Sequence, residues 1–137
     1  MKILKLNFKN IKMTNRDKNI AIALMLGAVV ENWYPANKDN DTTGNYYIFP
    51  ERTWYPNNCR QHGDYGLRFD SDYNWMLEAL KFITKKYDAA WKLTSKFCEI
   101  HNHSNGFDCR CEINCPENPM LDMFECLYQY SQYLKTF

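Results

Sequence analysis

Three of the chain's five arginines, Arg52, Arg60 and Arg68, fall within 17 residues that also hold Trp54, Tyr55, His62 and Tyr65. A guanidinium is a planar cationic fork that grips phosphate through two parallel hydrogen bonds, and a flat aromatic ring stacks on a nucleobase whatever its identity. On one loop these are the parts of a site for a small nucleotide-like ligand. The tripeptide Trp33-Tyr34-Pro35 recurs as Trp54-Tyr55-Pro56, each copy at a chain reversal. The expected ligand-binding residues are therefore Arg52, Trp54, Tyr55, Arg60 and Arg68, with Trp33 and Tyr34. The competing reading has Trp54 and Tyr55 pinning a long loop to the core while the arginines pair with Asp64, Asp70 and Asp72.

Six cysteines and three histidines raise a second chemistry. The parts are Cys59-x-x-His62, Cys98-x-x-His101-x-His103 and Cys109-x-Cys111-x-x-x-Cys115. The dipeptide Asn105-Gly106, flanked by alternating segments, predicts a hairpin over Phe97 to Ile113. A two-residue turn sets His103 opposite Asp108, His101 opposite Arg110, Ile100 opposite Cys111 and Cys98 opposite Ile113. Cys98, Ile100, Cys109, Cys111 and Ile113 then share one face, and Glu99, His101, His103, Asp108, Arg110 and Glu112 the other. Zinc requires four ligands converging on one point, and this register turns thiols and imidazoles apart. The cysteines are read as small apolar packing residues, with no metal and no cofactor expected. Cys59, in an irregular loop, is the exception that can be exposed. Glu99, His101, His103 and Asp108 form an acid–base cluster on an open sheet face, which solvated cross-strand pairing explains as well. The chain has no phosphate-binding glycine loop, no HExxH and no GxSxG, so no catalytic residue is assigned.

The elements that position these groups follow from period and punctuation. Asn15 to Leu26 carries apolar residues at helical spacing, with Thr14 and Asp17 as a cap and Gly27 as a stop. Ala28 to Tyr34 and Tyr46 to Phe49 read as strands joined by a long tip, and Glu51 to Gly66 as an irregular loop. Asp70-Ser71-Asp72 opens a helix whose buried face is Met76, Ala79, Leu80 and Ile83, ending near Tyr87. Residues 88–96 are expected to prolong that helix or form another. After the hairpin, Asn118-Pro119 opens a last helix with Met120, Met123, Phe124, Leu127 and Leu134 along one face. The predicted class is α+β, a small antiparallel sheet packed with helices in the order α-β-β-α-(α)-β-β-α. Residues 1–12 form an N-terminal appendage and 13–137 a single domain.

Composition bounds the function. The 137 residues carry 17 Lys and Arg against 16 Asp and Glu, a net charge of +1. Without a block of like charge, a duplex nucleic-acid-coating surface is excluded. Mean hydropathy is −0.62, and the longest apolar run, Ile20 to Val30, falls well short of the ~20 residues that span a bilayer. No cleavage-site pattern follows that run, so a cytoplasmic protein without a membrane partner is expected. Twenty-two aromatics make up 16% of the chain, more than one core of this size needs, which suggests recognition and self-association into a homo-oligomer.

Thr14-Asn15-x-x-x-Asn19-Ile20-Ala21-Ile22-Ala23 with Gly27, then a Trp-containing strand, then Phe69-Asp70-Ser71-Asp72-Tyr73-Asn74-Trp75-Met76-x-x-Ala79-Leu80, resembles the small phage proteins grouped as the phage ABA sandwich domain. The likeness spans about Thr14 to Leu134 in layout. The chain departs from it in the insertion between Ala36 and Gly66 and in its cysteine-rich hairpin. The resemblance implies a phage accessory protein acting in the host cytoplasm, and it transfers no catalytic residues. With the arginine–aromatic segment, the expectation is a non-enzymatic anti-defence protein that binds and sequesters a nucleotide-derived second messenger: a cyclic dinucleotide, a cyclic trinucleotide or a cyclic ADP-ribose. The alternatives are an inhibitor that docks on a host defence protein through the same aromatics, and a phosphodiesterase or zinc-binding protein acting through the hairpin.

Overall fold

The computed structural model describes residues 13–32, 44–55, 57–114 and 116–137. The expected appendage, the tip of the first hairpin, Trp33 and Tyr34 lie outside these residues. Helix α1 (Asn15–Met25) opens as its sequence dictates: the Thr14 hydroxyl accepts from the Asp17 amide at 3.1 Å and the Asp17 carboxylate accepts from the Thr14 amide at 3.3 Å. This reciprocal cap satisfies two amides that have no intrahelical partner. Gly27, at φ +92°, turns the chain out of the helix in a conformation that other residues adopt at a cost.

Strands β1 (Val29–Asn32) and β2 (Asn45–Ile48) pair antiparallel, with Val29 opposite Ile48 and Asn32 opposite Asn45. The segment expected to be irregular, Glu51 to Gly66, contributes a third strand, β3 (Gln61–Gly63), on the other side of β2, followed by one 3₁₀ turn at Asp64–Gly66. A three-residue strand has no readable period; the open edge of β2 recruits it. Helix α2 (Tyr73–Tyr87) starts from Asp72, whose carboxylate accepts from the Asn74 amide at 2.9 Å, and buries Trp75, Met76, Ala79, Leu80 and Ile83.

Residues 88–96 do not extend α2. Asp88 takes a left-handed conformation, φ 59°, and ends the helix. The chain reverses into β4 (Ala90–Leu93), antiparallel to β5 (Phe97–Asn102). Trp91 and Leu93 alternate with exposed Ala90 and Lys92, a two-residue period too short to outweigh the helical composition around it.

Strand β6 (Phe107–Glu112) completes the second three-stranded sheet, in the order β4-β5-β6. Its register differs from the expected one by two positions: His101 faces Asp108, Glu99 faces Arg110, Ile100 faces Cys109 and Cys98 faces Cys111. The loop is four residues, His103 to Gly106, because side-chain amides close it. Asn102 Oδ1 accepts from the Ser104 amide at 2.9 Å and Asn105 Oδ1 from the Phe107 amide at 3.1 Å. A slip of one residue exchanges the two faces of a strand and a slip of two restores them, so the expected faces survive.

Helix α3 (Met120–Leu134), with Pro119 rather than Asn118 at its N-cap position and no side-chain cap bond, lies across β5 and β6 and packs on α1. Lys18 and Glu125 bridge those two helices at 2.7 Å. The fold is thus α+β, with three α-helices and two small antiparallel sheets among the described residues. The largest fully buried side chains include Trp75, Tyr130, Phe49 and Phe69.

Candidate ligand-binding site

The aromatic half of the expected site belongs largely to that core. Trp54 is 4% exposed, its ring centroid 4.4 Å from that of Trp75 and 5.5 Å from those of Phe49 and Phe69. Its indole is therefore closed to a ligand, and it pins the loop, the competing reading of the sequence. Trp54 and Cys59 exchange two backbone hydrogen bonds, at 2.6 and 2.9 Å, across a tight reversal in which Asn57 and Asn58 take positive φ. Asparagine tolerates this conformation better than most side chains, which accounts for the adjacent pair. His62 is buried against the same cluster, 5.0 Å from Trp75, and its Nε2–H donates to the Cys59 carbonyl at 3.1 Å. Burial pushes this imidazole below its ordinary pKa, the Cys59 bond opposes the shift, and the charge of Arg68 adds to it.

The three arginines do different things. Arg60 Nη1 donates to the Pro50 carbonyl at 2.8 Å while its own carbonyl accepts from the Phe49 amide at 2.8 Å, so Arg60 closes the base of the loop. Arg68 lies 5.5 Å over the ring of Tyr55, a residue 63% exposed. Arg52 sits 4.9 Å over Phe82 and 5.8 Å over Trp54. Arg68 and Tyr55 form one surface pair and Arg52 belongs to another place. Of the acids expected to partner these arginines, Asp70 accepts from Asn19 and Asp72 caps α2.

The place of Arg52 is a hollow of about 240 Å³ where β2 leaves its sheet beside α2, lined among others by Gly27, Pro50, Glu51, Arg52, Phe82 and Lys86. Lys86 Nζ lies 5.6 Å over the Phe82 ring, so two cations share one aromatic ring. Cation–π contact holds each at about 0.5–1 kcal/mol when solvent-exposed, which orders a flexible side chain without neutralising it. Among the described residues neither Arg52 nor Lys86 is within ion-pair distance of a carboxylate. Phe82 and Lys86 are one helical turn apart on α2, and nothing in their local sequence marks them; the signal is their meeting with Arg52, 30 residues earlier.

The hairpin's outer face forms a second hollow, of about 460 Å³, lined by Glu99, His101, His103, Asp108 and Arg110 among others. Glu99 is shared, 3.6 Å from His101 Nε2 and 3.6 Å from Arg110 Nη1, and Arg110 stacks 3.9 Å over Phe97. Glu99 thus pairs across strands with Arg110 and along β5 with His101. No family model, curated protein or solved structure matches this chain.

Proposed function

We propose that this protein binds and sequesters a small phosphorylated, nucleotide-derived signal, with Arg52 and Lys86 holding its phosphate over Phe82. The observation that carries this reading is the convergence of two cations, neither within ion-pair distance of a carboxylate among the described residues, on the Phe82 wall of a hollow that Glu51 also lines. Ligand pockets usually enclose about 300–1,000 Å³. The hollow of about 240 Å³ is large enough for one phosphoryl–ribose or one base. A cyclic dinucleotide or larger messenger would extend past Pro50, and a homo-oligomer would cover the remainder. The resemblance to the phage ABA sandwich group adds the context, a phage product that removes a host defence messenger without turning it over.

The test is a thermal-shift screen of cyclic dinucleotides, cyclic trinucleotides, cyclic ADP-ribose isomers and mononucleotides, followed by titration with Arg52→Ala and Lys86→Ala. Ligand at 100 times Kd stabilises by ~2.7 kcal/mol, a midpoint rise on the order of 8–10 °C for a domain of this size. Each substitution should weaken binding at least about tenfold. A flat screen at millimolar ligand refutes the reading, as does full binding by both variants.

A second reading has its own observation. Tyr55 and Tyr65 are each 63% exposed and Tyr73 is 52% exposed. Arg68 stacks on the first, and Arg16 lies 5.3 Å over the second while donating to its hydroxyl at 2.8 Å. Exposed tyrosines stiffened by arginines have the composition of protein-interface hot spots. An inhibitor of a defence protein using this surface would bind its partner in pull-down and lose it on Tyr55→Ala, with no response to nucleotides.

A further inference from the structure

The cysteine-bearing face of the hairpin meets α3, and the sulfurs come together. Cys126 Sγ is 3.3 Å from Cys109 Sγ, 3.6 Å from Cys111 Sγ and 3.8 Å from Cys98 Sγ. The sulfurs of Cys109, Cys111 and Cys126 all lie within 4.8 Å of one another. All five cysteines among the described residues are free thiols. We propose that Cys109, Cys111 and Cys126, with Cys98 as the neighbouring fourth sulfur, bind a zinc ion that fastens the hairpin to the C-terminal helix.

Three elements build this site. Alternation along β6 puts Cys109 and Cys111 on the inner face, and the register places Cys98 directly opposite Cys111. Cys126 lies on the buried face of α3 between Met123 and Tyr130. A tetrahedral zinc with Zn–S bonds near 2.3 Å separates its sulfurs by about 3.8 Å, and the three distances from Cys126 fall at or just below that edge. Packing alone requires each small side chain to fill space against carbon, and gives no reason for three sulfurs from β6 and α3 to lie within 4.8 Å of one another with the β5 sulfur of Cys98 3.8 Å from Cys126. An all-thiol set selects a soft cation over magnesium or calcium. Cys98 and Cys126 are buried while Cys109 and Cys111 are half-buried, which leaves a path for the ion from solvent. The histidines play no part: His101 and His103 remain on the opposite face of the sheet. This site is separate from the Arg52 hollow, and its metal is structural.

The experiment uses the full chain, purified under reducing conditions from zinc-supplemented culture, with metal counted by mass spectrometry and thiols by a mercurial titration. About one zinc per chain is expected, released as the mercurial reacts. Cys59→Ser, remote from the cluster, should keep it, and Cys111→Ser should lower retained zinc at least about tenfold after dialysis against a chelator. Because Cys126→Ser can fail to fold, cobalt is titrated into metal-free wild type instead. A sulfur-to-cobalt charge-transfer band with intense visible absorption is the signature of a tetrahedral thiolate site. A folded wild type that retains no zinc and gives no such band overturns the proposal. So does Cys111→Ser with undiminished zinc, or the loss of two titratable thiols to a disulfide without any metal.

Discussion

The sulfur of Cys126 on the last helix lies 3.3 Å from that of Cys109 on the hairpin, 17 residues earlier in the chain. That contact joins α3 to β6. Stripping the bound ion should therefore loosen one region and spare another. In hydrogen exchange, the amides of Phe97–Asn102 and Phe107–Glu112 should lose protection in metal-free protein, while those of Tyr73–Tyr87 change little. Uniform loss over the whole chain would mean that the cluster does not act locally.

Asn102 is a buried hub. Its Nδ2 donates to the Tyr87 carbonyl at 2.7 Å and to the Tyr130 hydroxyl at 2.9 Å, and its Oδ1 accepts from the Ser104 amide. One side chain thereby ties the end of α2, the hairpin loop and α3. Asn102→Ala removes all three bonds, leaving the Tyr130 hydroxyl only its bond from Asn105 Nδ2 at 3.3 Å, so the expected cost is about 2–3 kcal/mol, a fall in the thermal midpoint on the order of 10 °C. A loss below about 0.5 kcal/mol in denaturant titration would show that water replaces the amide.

Trp54 and Trp75 stack in the same cluster and differ in one bond. Trp75 Nε1 donates to the Tyr55 carbonyl at 3.2 Å, whereas Trp54 Nε1 is buried and finds no acceptor among the described residues. Replacement by phenylalanine removes similar volume from both. Trp75→Phe should nevertheless be the costlier change, by about 1 kcal/mol, because in Trp54→Phe an unsatisfied buried donor disappears as well. Equal denaturation midpoints, or the reverse order, would contradict this account.

His62 predicts the sign of one pH effect. Its folded pKa lies below the ordinary 6.5, chiefly through burial. The unfolded chain then binds the proton more readily than the folded one. The stability it contributes is present above about pH 6.5, is lost as pH falls below that value, and levels off under the depressed folded pKa. Wild type should lose more stability between pH 7.5 and 5.5 than His62→Gln, measured by urea titration at each pH. Parallel losses would assign the acid sensitivity to other groups.

Arg60 and Arg52 separate structure from binding. Arg60→Ala removes the donor to the Pro50 carbonyl and should cost about 1 kcal/mol while leaving affinity for the nucleotide ligand within about twofold. Arg52→Ala should do the opposite, with stability nearly unchanged and affinity reduced, read by calorimetric titration of both variants.

Period and punctuation along the chain determined the helices, their caps and their buried faces. The Thr14 cap and the Met76, Ala79, Leu80 and Ile83 stripe needed only local spacing, and the split of the hairpin into thiol and acid–base faces needed only alternation. The class followed from these. What local spacing leaves open is pairing between distant segments. Strand β3 exists because β2 has an open edge, β4 because Asp88 turns the chain back on β5, and the hairpin register because two asparagine side chains close a four-residue loop. The sites are open for the same reason. Arg52, Arg60 and Arg68 are neighbours in sequence, and tertiary packing sends one to a hollow with Phe82 and Lys86, one to a backbone carbonyl and one to Tyr55. Three cysteines on one face of the hairpin, Cys98 on β5 and Cys109 and Cys111 on β6, lacked a fourth ligand as long as the hairpin stood alone. Helix α3 supplies Cys126, since a sheet's apolar face must be covered and the covering helix brings its own buried residues to the same point.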